Sequence, residues 1–343
     1  MIENLLASLP IAVVVPAYQA ERTIEAVLAG IPRFVARIVV VLDGCTDRTG
    51  ALVDRAAAGD ARIVRIDHER NRGIGAAMRT GYAAALEGGA ELVAKMDADG
   101  QMDPAYLAQL LMPLALGRAD YTKGNRFLRP REIRSMPLVR LVGNATLSFV
   151  AKLSTGYWQL LDPTNGYTAI TREAFSVVDC DQLDDRFFFE SSMLAELSLV
   201  RAVCADVAIP ASYGTEDSHL SVTHSLFEFS AKYLRSFVRR IFLRYFLLDF
   251  SAVSLLLALS LPMAVFGVAF GLRSWMHSHL YGVPATAGTV MLAAFTTAGG
   301  FFGLVQAMVY DILSVPRTPL TLPKLGVFAP TTAVAGTTTD AGR

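Results

Sequence analysis

Charge is what this chain has little of. Of its 343 residues only 18% are Asp, Glu, Lys or Arg, against 53% hydrophobic. That balance excludes an ordinary soluble enzyme. The 31 cations and 31 anions cancel to a net charge of +0, so no global field draws in nucleic acid, and no nucleic-acid partner is expected. Cysteine is scarce too. Cys45, Cys180 and Cys204 lie scattered without metal-ligand spacing, which excludes a disulfide framework and suits reduced cytosolic thiols. The apolar run at residues 9–15 follows Met1-Ile2-Glu3-Asn4, with no basic stretch before it. It reads as a first buried strand, not as a secretory signal.

What is present is a regular alternation. Short β-branched runs at 11–15, 38–42, 63–66 and 91–96 alternate with helical patterns at 20–29, 49–58 and 74–87. Strands separated by helices predict parallel βαβ units covered on both faces. The expected fold class is therefore α/β, with residues 1–215 as the first domain. Open sheets of this kind bind ligands at the carboxyl ends of their strands.

Beyond about residue 245 the composition changes. Residues 250–272 carry no charged side chain. As a helix at about 1.5 Å per residue they reach about 35 Å, enough to cross a hydrocarbon core. Pro262 inside them is tolerated in a membrane helix. A second uncharged stretch covers 274–310 and is most apolar at 288–309, where Gly299, Gly300 and Gly303 permit close helix contact. Two buried core helices are the alternative, but the uncharged length favours two spans within 247–312. Lys232, Arg235, Arg239, Arg240 and Arg244 precede the first span, and Arg317 and Lys324 follow the second. The positive-inside rule then predicts an integral protein of the inner or plasma membrane, with the first domain and both termini in the cytosol. Residues 216–246 mix those cations with large apolar side chains. They read as an amphipathic segment on anionic headgroups, or else as a solvated charged face. The tail, 313–343, ends in a Thr-, Ala- and Gly-rich stretch expected to be partly disordered.

Four features converge on the expected carboxyl edge. Val15-Pro16-Ala17-Tyr18 is a strand-to-helix turn that offers an aromatic ring to a base or ribose. Asp43-Gly44-Cys45-Thr46-Asp47 follows the second strand; Asp43 can accept from a base N–H, and Asp47 suits a helix cap. Asn71-Arg72-Gly73-Ile74-Gly75 opens a helix with small residues that permit close approach of a nucleotide. Asp97-Ala98-Asp99 follows the fourth strand. Its paired carboxylates are hard ligands suited to Mg²⁺ or Mn²⁺, which bind through one or two carboxylates plus substrate phosphates; a turn rich in Asp and Gly is the plain alternative.

Together, and in this order, these segments resemble family 2 glycosyltransferases with the GT-A fold, and within them the polyprenyl-phosphate glycosyltransferases of the dolichol-phosphate mannose synthase type. That group shows V-P-x-Y-N-E, D-D-G-S-x-D, N-x-G-x-G-x-A and D-A-D-x-Q segments, and some bacterial members carry a juxtamembrane helix and a two-helix transmembrane hairpin. The resemblance implies a Rossmann-like nucleotide-sugar domain, with nucleotide contacts from Pro16, Ala17, Tyr18, Glu21, Asp43, Gly75, Asp97, Ala98 and Asp99, and the metal on Asp97 and Asp99.

Further matches extend it. Lys123-Gly124-Asn125-Arg126 resembles the group's G-S-R-Y segment, whose Arg faces a donor or acceptor phosphate. Asp162-Pro163-Thr164-Asn165-Gly166-Tyr167 resembles its acceptor-side D-x-x-S-G-F/Y segment, and Glu190 stands where the group has a carboxylate near the acceptor. A surface ion pair for Arg126, a turn cap for Asp162 and an outward-facing helix start for Glu190 stand beside these readings. Catalysis is thereby assigned to Asp99, Arg126, Asp162 and Glu190, and acceptor or phosphate contacts to Gln101, Arg126, Arg131, Ser218 and His219.

The chain departs from the pattern in places. Leu42 replaces the Asp expected before Asp43. The late R-x-x-G-x-S-K segment survives only as residues 213–219, with His219 in place of the Lys and the upstream Arg missing; Arg129, Arg131 and Arg134 are candidates to compensate. The Q-x-x-R-W motif of processive synthases is absent.

The resemblance implies inverting, metal-dependent transfer of one sugar from a UDP- or GDP-sugar to a polyprenyl phosphate on the cytosolic leaflet. Two alternatives are a membrane-anchored glycosyltransferase acting on a saccharide acceptor and a non-catalytic nucleotide-binding membrane module. Gly-rich hairpin faces make a homo-oligomer possible.

Overall fold

Both faces of the first strands are buried, and this is written in the sequence as unbroken apolar runs. In β1 (Ile11–Ala17), Ile11, Val13, Val15 and Ala17 enter one core while Ala12 and Val14 enter the other. In β2 (Arg37–Asp43), Ile38, Val40 and Leu42 face the first core and Val39 and Val41 the second. Side chains alternate with period two, so a strand apolar at every position needs cover on both sides. Each such Val contributes about 1.5–3 kcal/mol by leaving water.

The structure is a computed structural model and describes residues 2–126, 138–162, 165–210 and 222–321. After the short α1 (Ile2–Leu6) come β1, α2 (Ile24–Gly30), β2, α3 (Thr49–Gly59), β3 (Ile63–His68), α4 (Ile74–Glu87), β4 (Leu92–Lys95), α5 (Leu107–Ala115) and β5 (Tyr121–Asn125). Then follow α6 (Leu138–Thr155), β6 (Thr168–Thr171), α7 (Arg172–Ser176), α8 (Phe189–Leu199) and β7 (Cys204–Ala208). The seven strands form one sheet in the order β3-β2-β1-β4-β6-β5-β7. Helices α2, α3 and α5 fill one core, and α4 and α8 the other.

The expected parallel arrangement holds from β1 to β4 and then changes. β6 runs antiparallel to both β4 and β5, while β5 and β7 are parallel. β6 is only four residues long, so its reversed direction left no trace in hydrophobic periodicity.

Two helices at the chain's far end, α10 (Ala252–Tyr281) and α11 (Ala287–Leu313), are long and apolar enough to cross a membrane. They pack against each other as a hairpin, and α10 runs through Pro262 as one helix. Their glycines face inward: a Cβ on Gly267 would meet the backbone of Thr297, one on Gly300 that of Ala264, and one on Gly303 the Ser260 side chain. The small faces expected to offer an oligomer contact are therefore used inside the hairpin, where they let the backbones touch.

The amphipathic segment is the helix α9 (Val222–Phe242), followed by a π-turn at Leu243–Leu248. Protein carboxylates and carbonyls take most of its cations. Lys232 pairs with Asp184 at 2.8 Å, Arg239 pairs with Glu196, and Arg244 donates to the Ser314 carbonyl at 3.0 Å. Arg240 is fully buried and forms a two-pronged pair with Asp311 of α11, at 2.8 and 3.1 Å. Trp158 Nε1 donates to the same carboxylate at 2.8 Å, as does the Tyr245 hydroxyl. Beyond the hairpin the chain returns to the sheet: Asp120 accepts from the backbone N–H of Val203 at 2.8 Å, Leu320 at 2.9 Å and Thr321 at 3.0 Å.

Asp311→Ala leaves the Arg240 guanidinium buried without its counter-charge, which costs about 3–5 kcal/mol. The expected result is a clear drop in the thermal midpoint of the detergent-solubilised full chain. A midpoint equal to wild type would show that the hairpin is held by other contacts.

Candidate active site

Because β1, β2 and β4 are parallel neighbours, the turns that follow them open on the same edge. There they line a cleft of about 510 Å³ whose walls include Pro16, Ala17, Tyr18, Asp43, Asp97, Ala98 and Asp99. Tyr18 is 54% exposed at the cleft. The turn behind it is braced by Gln19, which takes a left-handed φ of 50°. Its amide donates to Thr46 Oγ1 at 2.7 Å and accepts from the backbone of Thr46 and Asp47 at 3.2 Å. Asp47 accepts from the Thr49 backbone at 3.1 Å, one residue before Arg48 at the N-cap of α3.

Asp43 borders the cleft but is buried. Its Oδ1 accepts from Arg72 N at 2.9 Å and its Oδ2 from Gly73 N at 2.8 Å, so it pins the loop before α4. Oδ1 also lies 2.7 Å from His68 Nδ1. Glu21 stands outside the cleft wall, with Oε2 accepting from Arg48 N at 3.2 Å. Gly75 is not on the wall either. Its N–H donates to the Asp185 carbonyl at 2.8 Å, and a Cβ there would fall 1.9 Å from the Asp184 carbonyl oxygen. The close approach that Gly75 permits is thus made by residues 184–185, the segment leading to Arg186 and Phe187 on the cleft wall.

Asp97 and Asp99 lie where two cavities meet. The second, of about 170 Å³, is also lined by Gln101, Arg126 and Asn165. Asp99 is exposed, and its Oδ1 accepts from Gln101 N at 2.9 Å. Asp97 is half-buried. Burial pushes its carboxyl above the usual range, and Glu190 and Asp99 add to that against the opposing Lys95 ammonium. Asp97 Oδ1 sits 3.1 Å from Lys95 Nζ yet has no hydrogen-bond partner; the contact has ion-pair distance without hydrogen-bond geometry. The Lys95 ammonium is the counter-charge at that oxygen.

Among the described residues no three His, Cys, Asp or Glu side chains form a metal cage. Two carboxylates beside a cleft are nonetheless what Mg²⁺ or Mn²⁺ needs when substrate phosphates complete its shell. The residues fit the ion.

Arg126 lines the second cavity and is also ion-paired. Its Nε and Nη2 donate to Asp162 at 2.8 and 3.1 Å, a forked geometry that fixes the guanidinium plane. Asp162 is 1% exposed, so its carboxylate aims Arg126 and does not face the cavity. Glu190 corrects the outward-facing alternative. It is buried in the first turn of α8, borders neither cavity, and places Oε1 2.6 Å from Lys95 Nζ. Burial pushes its carboxyl up, but the two ammoniums of Lys95 and Lys123 outweigh that and hold it below the usual range. Lys123 itself is pushed down to about 8 by burial, against the pull of Glu190 and Asp162. Arg131, Ser218 and His219, with Arg129 and Arg134, lie outside the described residues.

Sequence reasoning passed over Lys95, His68, Arg186 and Phe187. For Lys95 a signal existed: a cation inside an apolar strand is buried only with a partner. His68 is the register partner of Asp43 across β2 and β3, a pairing that becomes readable only once the two strands are aligned.

Gly75→Ala forces residues 184–185 away from α4 and is expected to destabilise the protein by about 1–3 kcal/mol. Gly59→Ala, where a Cβ meets nothing within 4 Å, is expected to be neutral or stabilising by up to about 1 kcal/mol. Thermal unfolding of the two variants side by side checks the contrast.

A family model described as "Glycosyl transferase family 2" matches residues 12–178. The chain is 31% identical over 178 residues to the UDP-N-acetylglucosamine–dolichyl-phosphate N-acetylglucosaminyltransferase of Methanococcus voltae, across 48% of this chain and 70% of that protein. It is 31% identical over 177 residues to the polyprenol monophosphomannose synthase of Mycolicibacterium smegmatis, across 51% of this chain and 66% of that one. In fold it is similar to glucosyl-3-phosphoglycerate synthase of Mycobacterium tuberculosis, crystallised with Mn²⁺, UDP-glucose and phosphoglyceric acid. The TM-score is 0.53 at 20% identity, over 70% of this chain and 82% of that chain. The sheet order, the edge cleft and these matches agree on a GT-A fold, and the chain belongs to glycosyl transferase family 2.

Proposed function

We propose that this glycosyltransferase moves one sugar from a nucleotide sugar to a polyprenyl phosphate at the cytosolic face of a membrane. The observation that carries the reading is the meeting of two cavities at Asp97 and Asp99, on a body whose neck is bound to an apolar hairpin through Asp311. The larger cleft suits the nucleotide, with Tyr18 against the base or ribose. The smaller one suits the acceptor phosphate, with the Arg126 guanidinium held for it by Asp162. An acceptor phosphate oxygen attacks the anomeric carbon as the bond to the nucleoside diphosphate breaks, and the sugar inverts. The nucleophile is already anionic at neutral pH, so no side chain need remove a proton. Asp97 and Asp99 would hold Mg²⁺ or Mn²⁺, which when bound would supply charge stabilisation to the departing diphosphate.

Residues 1–215 serve as the catalytic part, 216–246 as the juxtamembrane segment, 247–312 as the hairpin and 313–343 as a cytosolic tail. Leu234, Val238 and Phe242 are exposed at four-residue spacing on α9. Such a stripe suits the acyl boundary of a bilayer, as expected of an amphipathic segment lying on headgroups. The two lipid-linked relatives support the choice of acceptor.

Membranes supplied with a panel of labelled nucleotide sugars are expected to give an organic-extractable, mild-acid-labile product. Label in a water-soluble polymer would move the acceptor to a saccharide, and metal-dependent nucleotide binding without transfer would remove catalysis from the reading. Asp99→Ala is expected to reduce transfer at least about 100-fold, with expression and membrane insertion near wild type. Full activity in that variant would end the metal assignment.

A further inference from the structure

We propose that Lys95 is a positioning residue that orients Asp97 toward the divalent ion, with Glu190 as its fixed point. The inference rests on the metal reading above and extends it to a side chain that no cavity exposes.

Lys95 is 1% exposed at the end of β4, a strand paired on one side with β1 and on the other with β6. Its aliphatic stem therefore has no freedom to swing. Its ammonium lies 2.6 Å from Glu190 Oε1 and 3.1 Å from Asp97 Oδ1. Glu190 is fixed in turn by its place in the first turn of α8. Asp97 has no comparable constraint of its own. Its carboxylate follows the end of β4, and the Lys95 ammonium is the counter-charge beside Oδ1. The lysine thus links a rigid helix start to a carboxylate on the wall of both cavities.

Space around this link is also controlled. Gly166 lies over it, and a Cβ there would come 2.7 Å from Lys95 Nζ, 3.1 Å from Asp97 Oδ2 and 3.1 Å from Met102 Cε. A glycine at that point lets the ammonium and the carboxylate sit under the second cavity without being pushed apart.

Two physical effects oppose each other here, and their signs differ. An ammonium beside a dication repels it, so on charge alone removing Lys95 would tighten the ion. Without the lysine, however, Asp97 and Glu190 are two anions with no common counter-charge, and Asp97 loses its orientation. Partners that orient a ligand typically contribute 10–100-fold to metal affinity. Orientation outweighs repulsion here.

The test uses the detergent-solubilised full chain, with Mn²⁺ titrated in the presence of UDP or GDP and free Mn²⁺ read by electron paramagnetic resonance. Lys95→Met is expected to weaken Mn²⁺ by about 10–100-fold, with metal-free nucleotide affinity unchanged. Gly166→Ala displaces the ammonium and the carboxylate without altering any charge, and is expected to weaken Mn²⁺ by about tenfold. It also keeps the test open should Lys95→Met not fold. Unchanged or tighter Mn²⁺ binding in the folded variants overturns the proposal, as does an equal loss of metal-free nucleotide affinity. Asp99→Ala separates the two levels: if it binds Mn²⁺ like wild type, the metal reading itself has failed.

Discussion

An acidic side chain inside a protein must be met by donors or a cation, and this molecule is assembled around that requirement. Several buried carboxylates among the described residues sit at its joints. Asp43 holds the loop before α4, Asp162 holds Arg126, and Glu190 holds Lys95. Asp120 holds the chain that returns from the hairpin, and Asp311 holds Arg240, Tyr245 and Trp158. Leaving any one of them alone in a medium of low dielectric would be prohibitive. Each therefore fixes the relative position of two segments far apart in the chain, and the cleft takes its shape from three of these fixings.

This accounts for where the sequence could be read and where it could not. The strands β1 to β4 and the turns after them were visible because burial on both faces leaves continuous apolar runs, and because Asp and Gly cluster where those runs stop. The hairpin was visible because a long stretch without charge has few other uses. The glycines of residues 71–75 were rightly seen as a point of close approach, but the approaching group is the backbone of residues 184–185. The cations of α9 were seen as a group, yet their partners Asp184, Glu196 and Asp311 come from three other elements. Pairings between residues 40 to 200 apart carry no periodic signal. For the same reason the role of Lys95 was missed, although its place in an apolar strand marked it as unusual.

The site shows how one sheet edge can serve two ligands. Parallel β1, β2 and β4 deliver Tyr18, Asp43 and Asp97 to one side, while antiparallel β6 leaves Asn165 and Gly166 on the other. Asp97 and Asp99 belong to both cavities because they follow β4, the strand at which the sheet changes direction. That boundary is the natural place for a reaction in which a group passes from one ligand to the next.

The return of the chain to Asp120 has a consequence for biosynthesis. Leu320 and Thr321 reach this carboxylate only after both hairpin helices have been made. The globular part therefore stays incomplete until the ribosome has delivered both hairpin helices and the residues that follow them. A shortened version ending before the hairpin would expose Asp120 to solvent and lose the strap, so a water-soluble fragment cut at that point is not a faithful copy of the catalytic body.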